Sequence, residues 1–95
     1  MYAIAFDMVV AELKLHYPKQ YTQAYFDIRK TLRPFEFYSV EGSLYLSEKD
    51  DLANLHLAIE ALKGIDWFRT AVRDIRAFRL NDRSDFTEVV KGEVA

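Results

Sequence analysis

The stretch Met1-Tyr2-Ala3-Ile4-Ala5-Phe6-Asp7-Met8-Val9-Val10 decides the fold: ten residues, apolar except for one carboxylate. A run this short, with aromatic and β-branched residues and no Gly or Pro, predicts a strand buried on both faces and therefore central in a sheet. Alternation sorts its side chains. Tyr2, Ile4, Phe6, Met8 and Val10 form a bulky face for the main core, and Ala3, Ala5, Asp7 and Val9 form a smaller one. The small face invites close approach by another sheet, a second subunit or a ligand. Asp is rarely buried unless paired, so Asp7 needs a reason. Either it lies at or past the strand's end, solvated or capping a turn, or it is a desolvated acid, base or metal ligand on a sheet face.

Ninety-five residues are enough for one domain, spanning 1–95, with one core and no room for a separate cofactor domain. The chain is 51% hydrophobic and 29% charged with three Gly and two Pro, the balance of a globular protein. Six of its fourteen aromatic residues are tyrosines, which suit partly wet surfaces and interfaces. The absence of cysteine excludes a disulfide framework and thiolate metal sites, and fits a reducing cytoplasm. The apolar start is too short to span a membrane, has no basic leader and contains Asp7, so neither a signal peptide nor an anchor is expected.

A net charge of -2 argues against a generic nucleic-acid binder, but the charge is uneven. Arg69, Arg73, Arg76, Arg79 and Arg83 stand against only Asp74 and Asp82 between residues 69 and 83, a local +3 that leaves -5 elsewhere. That is either a footprint for polyanions or the solvated side of an amphipathic element.

Glu12 to Tyr17 is polar and mixed and reads as a loop, with His16 isolated in it. From Lys19 to Arg33 the spacing is helical, with Tyr21, Ala24, Tyr25, Ile28 and Leu32 on one stripe and Pro34 as the stop. Phe35 to Val40 and Ser43 to Leu46 alternate about a Glu41-Gly42 turn, which predicts a hairpin. In it, Leu44 and Leu46 are expected to face the core, and Ser43 and Tyr45 the side that carries Asp7. Ser43 lies in no nucleophile elbow and has no His and Asp at a recognised spacing, so it enters the candidate catalytic site as a polar partner.

Ser47 to Asp50 resembles a capping box with Ser47 as N-cap. A helical stripe of Leu52, Leu55, Ile59 and Leu62 follows, stopped by Gly64, with His56 bordering the core. Residues 68–80 fit both a basic amphipathic helix and a strand. Strand is preferred from Val72 to Leu80, because strand, helix, two strands and helix have already appeared and the sheet needs a last strand beside the first. Ser84 to Val90 reads as a short terminal helix capped by Ser84, with Phe86, Val89 and Val90 available for docking. The expected fold class is α+β, a ferredoxin-like βαββαβ two-layer sandwich with one sheet face open and a short C-terminal helix. Such a fold hosts many activities and does not give function.

The residues that do point further are Met1 to Asp7, Gln23-Ala24-Tyr25, Gly42-Ser43-Leu44-Tyr45, Ala53-Asn54-Leu55, Val72 to Arg79 and Ser84-Asp85-Phe86-Thr87. In this order they resemble the VapD family of virulence-associated proteins over Met1 to about Thr87. Glu36 departs from the family pattern, which tends to have Gly there. The resemblance implies a homodimer related to the small dimeric CRISPR-associated nucleases. It implies an endoribonuclease (a hydrolase of RNA phosphodiester bonds), in some systems the toxin of a toxin-antitoxin pair with a protein antitoxin as partner. It also implies that Asp7, at the end of the first strand, is the catalytic position.

The resulting expectation is cleavage of single-stranded RNA in the cytoplasm, with Asp7 and Ser43 in the catalytic site. Arg73, Arg76, Arg79, Arg83 and Tyr45 are expected to hold substrate, the arginines through phosphates. Asp7 either activates a 2′-hydroxyl as general base or holds a divalent cation such as Mg, for which one carboxylate per chain is a thin site that both subunits or several waters must complete. The alternative from another class is a non-catalytic dimeric module that binds RNA or a protein through its open sheet.

Overall fold

A computed structural model describes residues 1–92; the last three residues of the 1–95 span lie outside the description. The opening run forms β1 (Tyr2–Met8), and it lies inside a four-stranded sheet. The other strands are β2 (Tyr38–Glu41), β3 (Leu44–Ser47) and β4 (Val72–Arg79), in the spatial order β2-β3-β1-β4 with every neighbouring pair antiparallel. This is the ferredoxin-like α+β arrangement expected from the sequence. Its helices are α1 (Val10–His16), α2 (Ala24–Leu32), α3 (Leu52–Lys63), α4 (Asp66–Ala71) and α5 (Thr87–Lys91).

One sheet face is covered by helices. Ile4, Phe6 and Tyr45 from the strands meet Ile28 and Leu32 of α2, Leu55, Ala58 and Leu62 of α3 and Phe68 of α4 in the main core. Phe6 stacks on Tyr45 with ring centroids 6.0 Å apart and meets Phe68 edge-on at 5.5 Å. A second, smaller cluster of Leu13, Tyr17, Ala24 and Ala71 holds α1 against α2 and α4.

Several boundaries differ from the expected ones for local reasons. Val10 does not extend the strand: it opens α1 and is exposed, and the polar segment to His16 is helical, anchored by its one buried residue, Leu13. His16 ends that helix and bonds Glu12 across one turn at 3.1 Å. The N-cap of α3 is Asp51, whose carboxylate accepts from the amides of Ala53 and Asn54, whereas Ser47 is a buried strand residue accepting from the Lys49 amide. His56 is exposed and sits 3.8 Å from Glu60, away from the core border. Residues 66–71 are helical, and the chain becomes a strand only at Val72, so the two competing periodicities each hold on one side of Ala71. The terminal helix starts at Thr87, with the Asp85 carboxylate accepting from the Thr87 amide, and Phe86, Val89 and Val90 are exposed.

Glu36 adopts a left-handed conformation at φ 63, the one non-glycine residue to do so among those described. It closes the 3-10 turn Arg33–Phe35, where Pro34 has already ended α2. A position with this backbone is where glycine is favoured, which gives a physical reason for the residue expected there.

Candidate active site

The pairing register fixes what the uncovered face presents. Tyr38 lies opposite Leu46, Leu46 opposite Ala3 and Ala3 opposite Phe78, so one row crosses all four strands. The central residues Ala3 and Leu46 are buried between flanking aromatics that remain 41% (Tyr38) and 43% (Phe78) exposed. The next row joins Leu44, Ala5 and Arg76, and the last sets Asp7 opposite Asp74. Along β1 the face therefore changes from apolar to charged.

Its charged end is a concavity of about 330 Å³ lined by Ala5, Phe6, Asp7, Ser43, Leu44, Asp74, Arg76 and Phe78. Asp7 is exposed and lies within β1, one residue before its end, so it is neither past the strand nor desolvated. Ser43 is brought beside it because the Phe6 amide donates to the Ser43 carbonyl at 3.1 Å, which pins the hairpin turn to β1. The register of β4 shifts between Asp7 and Met8, leaving Arg73 as the extra residue of a bulge. Bulges of this kind bend a strand and re-aim its side chains.

The expected residues divide sharply. Asp7, Ser43 and Arg76 come together in the concavity. Arg79 does not: it lies opposite Tyr2 and is spent on an ion pair with Asp50 at 2.8 Å, with the N-terminal ammonium 3.9 Å from the same carboxylate. Arg73 is exposed at the bulge and does not line the concavity. Arg83 follows β4, near Asp85, whose carboxyl is held below its ordinary value by hydrogen bonding to Thr87 and, in smaller part, by the Arg83 charge.

Tyr45 is on the other face altogether. Paired with Ile4, it is fully buried under the helices, and burial pushes its phenol up against the opposing pull of Arg29. The expected hairpin faces are thus inverted. Leu44 and Leu46 share the face of Asp7, because β3 pairs with β1 in the register that sets Leu44 opposite Ala5 and Leu46 opposite Ala3. A one-residue change of register sends every side chain of a strand to the opposite face.

No protein-family model matches the chain. Individual relatives do, over nearly their whole length. The chain is 53% identical over 92 residues to the protein named Endoribonuclease VapD of Dichelobacter nodosus, covering 97% of this chain and 99% of that one. It is 54% identical over 91 residues to the Endoribonuclease VapD homolog of Neisseria gonorrhoeae, with 96% and 99% covered.

The chain belongs to the VapD family. A third relative, the Endoribonuclease VapD of Helicobacter pylori, is 46% identical over 93 residues, with 96% and 99% covered.

Within this VapD-family chain, the residue that sequence reasoning missed is Asp74. Directly opposed residues of an antiparallel pair have Cα atoms roughly 4.5–5.5 Å apart, so the strand pairing alone places a second carboxylate next to Asp7. Among the described residues, neither carboxylate has a hydrogen-bonded side-chain partner or an ion pair. Arg76 is likewise without an ion pair and is the one cation lining the concavity. Part of the signal is present in the sequence, since β1 and β4 are expected to be neighbours. Alternation alone, however, does not set the register that puts residue 7 opposite residue 74.

Proposed function

We propose that this chain is an endoribonuclease that cuts single-stranded RNA as a homodimer, with Asp7 as the catalytic carboxylate. The observation that carries the reading is the placement of Asp7: exposed at the charged end of an otherwise apolar sheet face, in a concavity beside an unpaired arginine. The reaction class comes from the relatives, which are named endoribonucleases.

Asp7 acts as general base on the 2′-hydroxyl next to the scissile phosphate. The 2′-oxygen attacks phosphorus as its proton passes to the carboxylate. Arg76 meets the charge that grows on the non-bridging oxygens. The bond to the 5′-oxygen breaks, that oxygen takes a proton from solvent, and the products are a 2′,3′-cyclic phosphate and a 5′-hydroxyl. Ser43 offers a hydroxyl at the edge of the same concavity and orients the substrate rather than attacking it.

A divalent cation such as Mg is the second route. Bound at Asp7, it would supply an acidified water as nucleophile, and hard carboxylate oxygens are the donors it prefers. Among the described residues no three His, Cys, Asp or Glu side chains are grouped to hold a metal, so Asp7 from both subunits or several waters would complete such a site.

The dimer is supported by Tyr38 and Phe78, the two exposed aromatics that flank buried Leu46 and Ala3 in one row across the sheet, which a second copy packed face to face would shield. The same proposal includes a role as the toxin of a toxin-antitoxin pair, with a protein antitoxin as partner, and a cytoplasmic location, where an RNA substrate is met. Among the described residues no helix is long and apolar enough to cross a membrane. The decisive experiment is cleavage of a defined single-stranded RNA by highly purified protein and by its Asp7→Asn variant. A fall of at least about 100-fold is expected, the lower end of a general acid-base contribution. Equal cleavage by the variant overturns the reading, and RNA binding without cleavage by the parent protein establishes a binding module instead.

A further inference from the structure

The sheet carries two like charges directly opposite each other, Asp7 and Asp74, an arrangement that weakens strand pairing. The proposed chemistry uses Asp7 and leaves Asp74 without a task. Asp74 is half-buried, lines the same concavity and has no ion-pair partner among the described residues, so its charge is turned toward whatever enters. A nucleic-acid backbone is a poor companion for a carboxylate, because its phosphates and ring oxygens only accept hydrogen bonds. The exception is the ribose 2′-hydroxyl, which also donates and is absent from DNA.

We infer that Asp74 makes this site select RNA over DNA by accepting a hydrogen bond from a substrate 2′-hydroxyl. The inference rests on the reading of Asp7 as the catalytic group: Asp7 serves the ribose at the cut, and Asp74 receives the hydroxyl of an adjoining nucleotide. With RNA the carboxylate gains a charge-assisted hydrogen bond. With DNA it faces a CH₂ group and a nearby phosphate and loses hydration with nothing in return. A site built to bind a hydroxyl rejects the analogue that lacks it far more strongly than a site that merely tolerates it. Base amino groups are also donors, but DNA and RNA share them, so they cannot produce this discrimination.

The test measures binding of three oligonucleotides of one sequence, as RNA, as DNA and as 2′-O-methyl RNA, to the Asp7→Asn protein, which spares the substrate. RNA is expected to bind at least about tenfold more tightly than the other two, the usual worth of one hydrogen bond to a charged group. Asp74→Ala in the same background should bring the three affinities to within about threefold of one another, mostly by tightening DNA. Asp74→Val, which suits a strand, guards against a variant that fails to fold, and melting curves accompany both. An unchanged RNA-to-DNA ratio in either folded variant overturns the inference, as does 2′-O-methyl RNA binding as tightly as RNA. An Asp7→Asn protein that still cleaves would refute the catalytic reading separately. Tighter DNA binding by Asp74→Ala would then still support the role of Asp74, and unchanged DNA binding would overturn it.

Discussion

The Tyr17 hydroxyl donates a 2.5 Å hydrogen bond to Asp27 Oδ2, and the Tyr17 ring meets Trp67 edge-on with centroids 4.8 Å apart, so one side chain ties the end of α1 to both α2 and α4. Burial, then the hydrogen bond and charge of Asp27, push this phenol from its ordinary value of 10.0 up to about 12. In the unfolded chain Tyr17 ionises near 10.0, while the folded protein holds the proton until about 12. The stability this contributes is therefore complete below the unfolded value and drains away as pH rises through the folded one. Tyr17→Phe should cost about 1.5 kcal/mol at neutral pH, the lower end for a bond to a charged acceptor. In urea titrations between neutral and strongly alkaline pH, the variant should lose stability less steeply than the parent over the alkaline part of the range. Parallel curves would show that Tyr17 is not the group responsible.

Glu36 is a glutamate in a left-handed conformation, held at φ 63 and paired with Lys49 at 3.3 Å on the surface. The backbone strain is about 1–2 kcal/mol for an L-residue, against about 0.5–1 kcal/mol of extra chain entropy that glycine loses on folding. The exposed ion pair contributes little. Glu36→Gly should therefore stabilise the protein by up to about 1 kcal/mol, seen as a higher denaturation midpoint with an unchanged slope. A lower midpoint would mean that the Lys49 pair outweighs the strain.

How much of this was legible differs from residue to residue. The uninterrupted apolar run at the start placed β1 correctly inside the sheet, although the face that carries Ala5 and Asp7 is not covered as that run implied. The α1 helix was invisible: seven residues with one buried position show no period. The hairpin was recognised, but its faces were inverted, since alternation gives two faces and only the pairing register against β1 decides which is which. At the candidate site, Asp7 stood out because it broke an apolar run. Asp74 did not, because it lies among five arginines and its place beside Asp7 comes from the pairing register.

The uncovered face gives a prediction about assembly. Leu44 lies beside Ala5 in the row next to the charged end, and Phe78 is 43% exposed in the apolar row. A charge placed there would have to be desolvated when two copies meet, so Phe78→Asp should shift the protein to monomer in light scattering at micromolar concentration, with far-UV circular dichroism preserved. A parent protein that is already monomeric at that concentration would remove the basis for a face-to-face dimer.

The arginines separate cleanly. Arg76 lines the concavity and is free, whereas Arg79 is held by Asp50 on the other side of the strand. Arg76→Gln should weaken binding of single-stranded RNA and lower the slope of log affinity against log salt by about 0.7, the loss of one phosphate contact. Arg79→Gln should leave that slope unchanged. Equal slopes for the parent and the Arg76 variant would make Arg76 a structural residue.

The last prediction joins chemistry to stability at Asp7. Its side chain is exposed, no described hydrogen bond or ion pair holds it, and Asp74 lies directly opposite, so its charge stabilises nothing in the fold of one subunit. If two open faces meet, the two Asp7 carboxylates are brought toward each other, and their repulsion opposes the dimer. Asp7→Asn keeps the shape and removes the charge, so the melting temperature should hold or rise while cleavage is lost. The products of the parent protein then identify what Asp7 does. As a general base on the 2′-hydroxyl, it must leave a cyclic phosphate, a single 2′-deoxy substitution at the cut must block cleavage, and excess chelator must not. As the ligand of a cation that activates water, it must tolerate the 2′-deoxy linkage, leave ordinary phosphate and hydroxyl ends, and stop when the cation is chelated. A destabilised Asp7→Asn protein that still cleaves would contradict both routes and return Asp7 to a purely structural role.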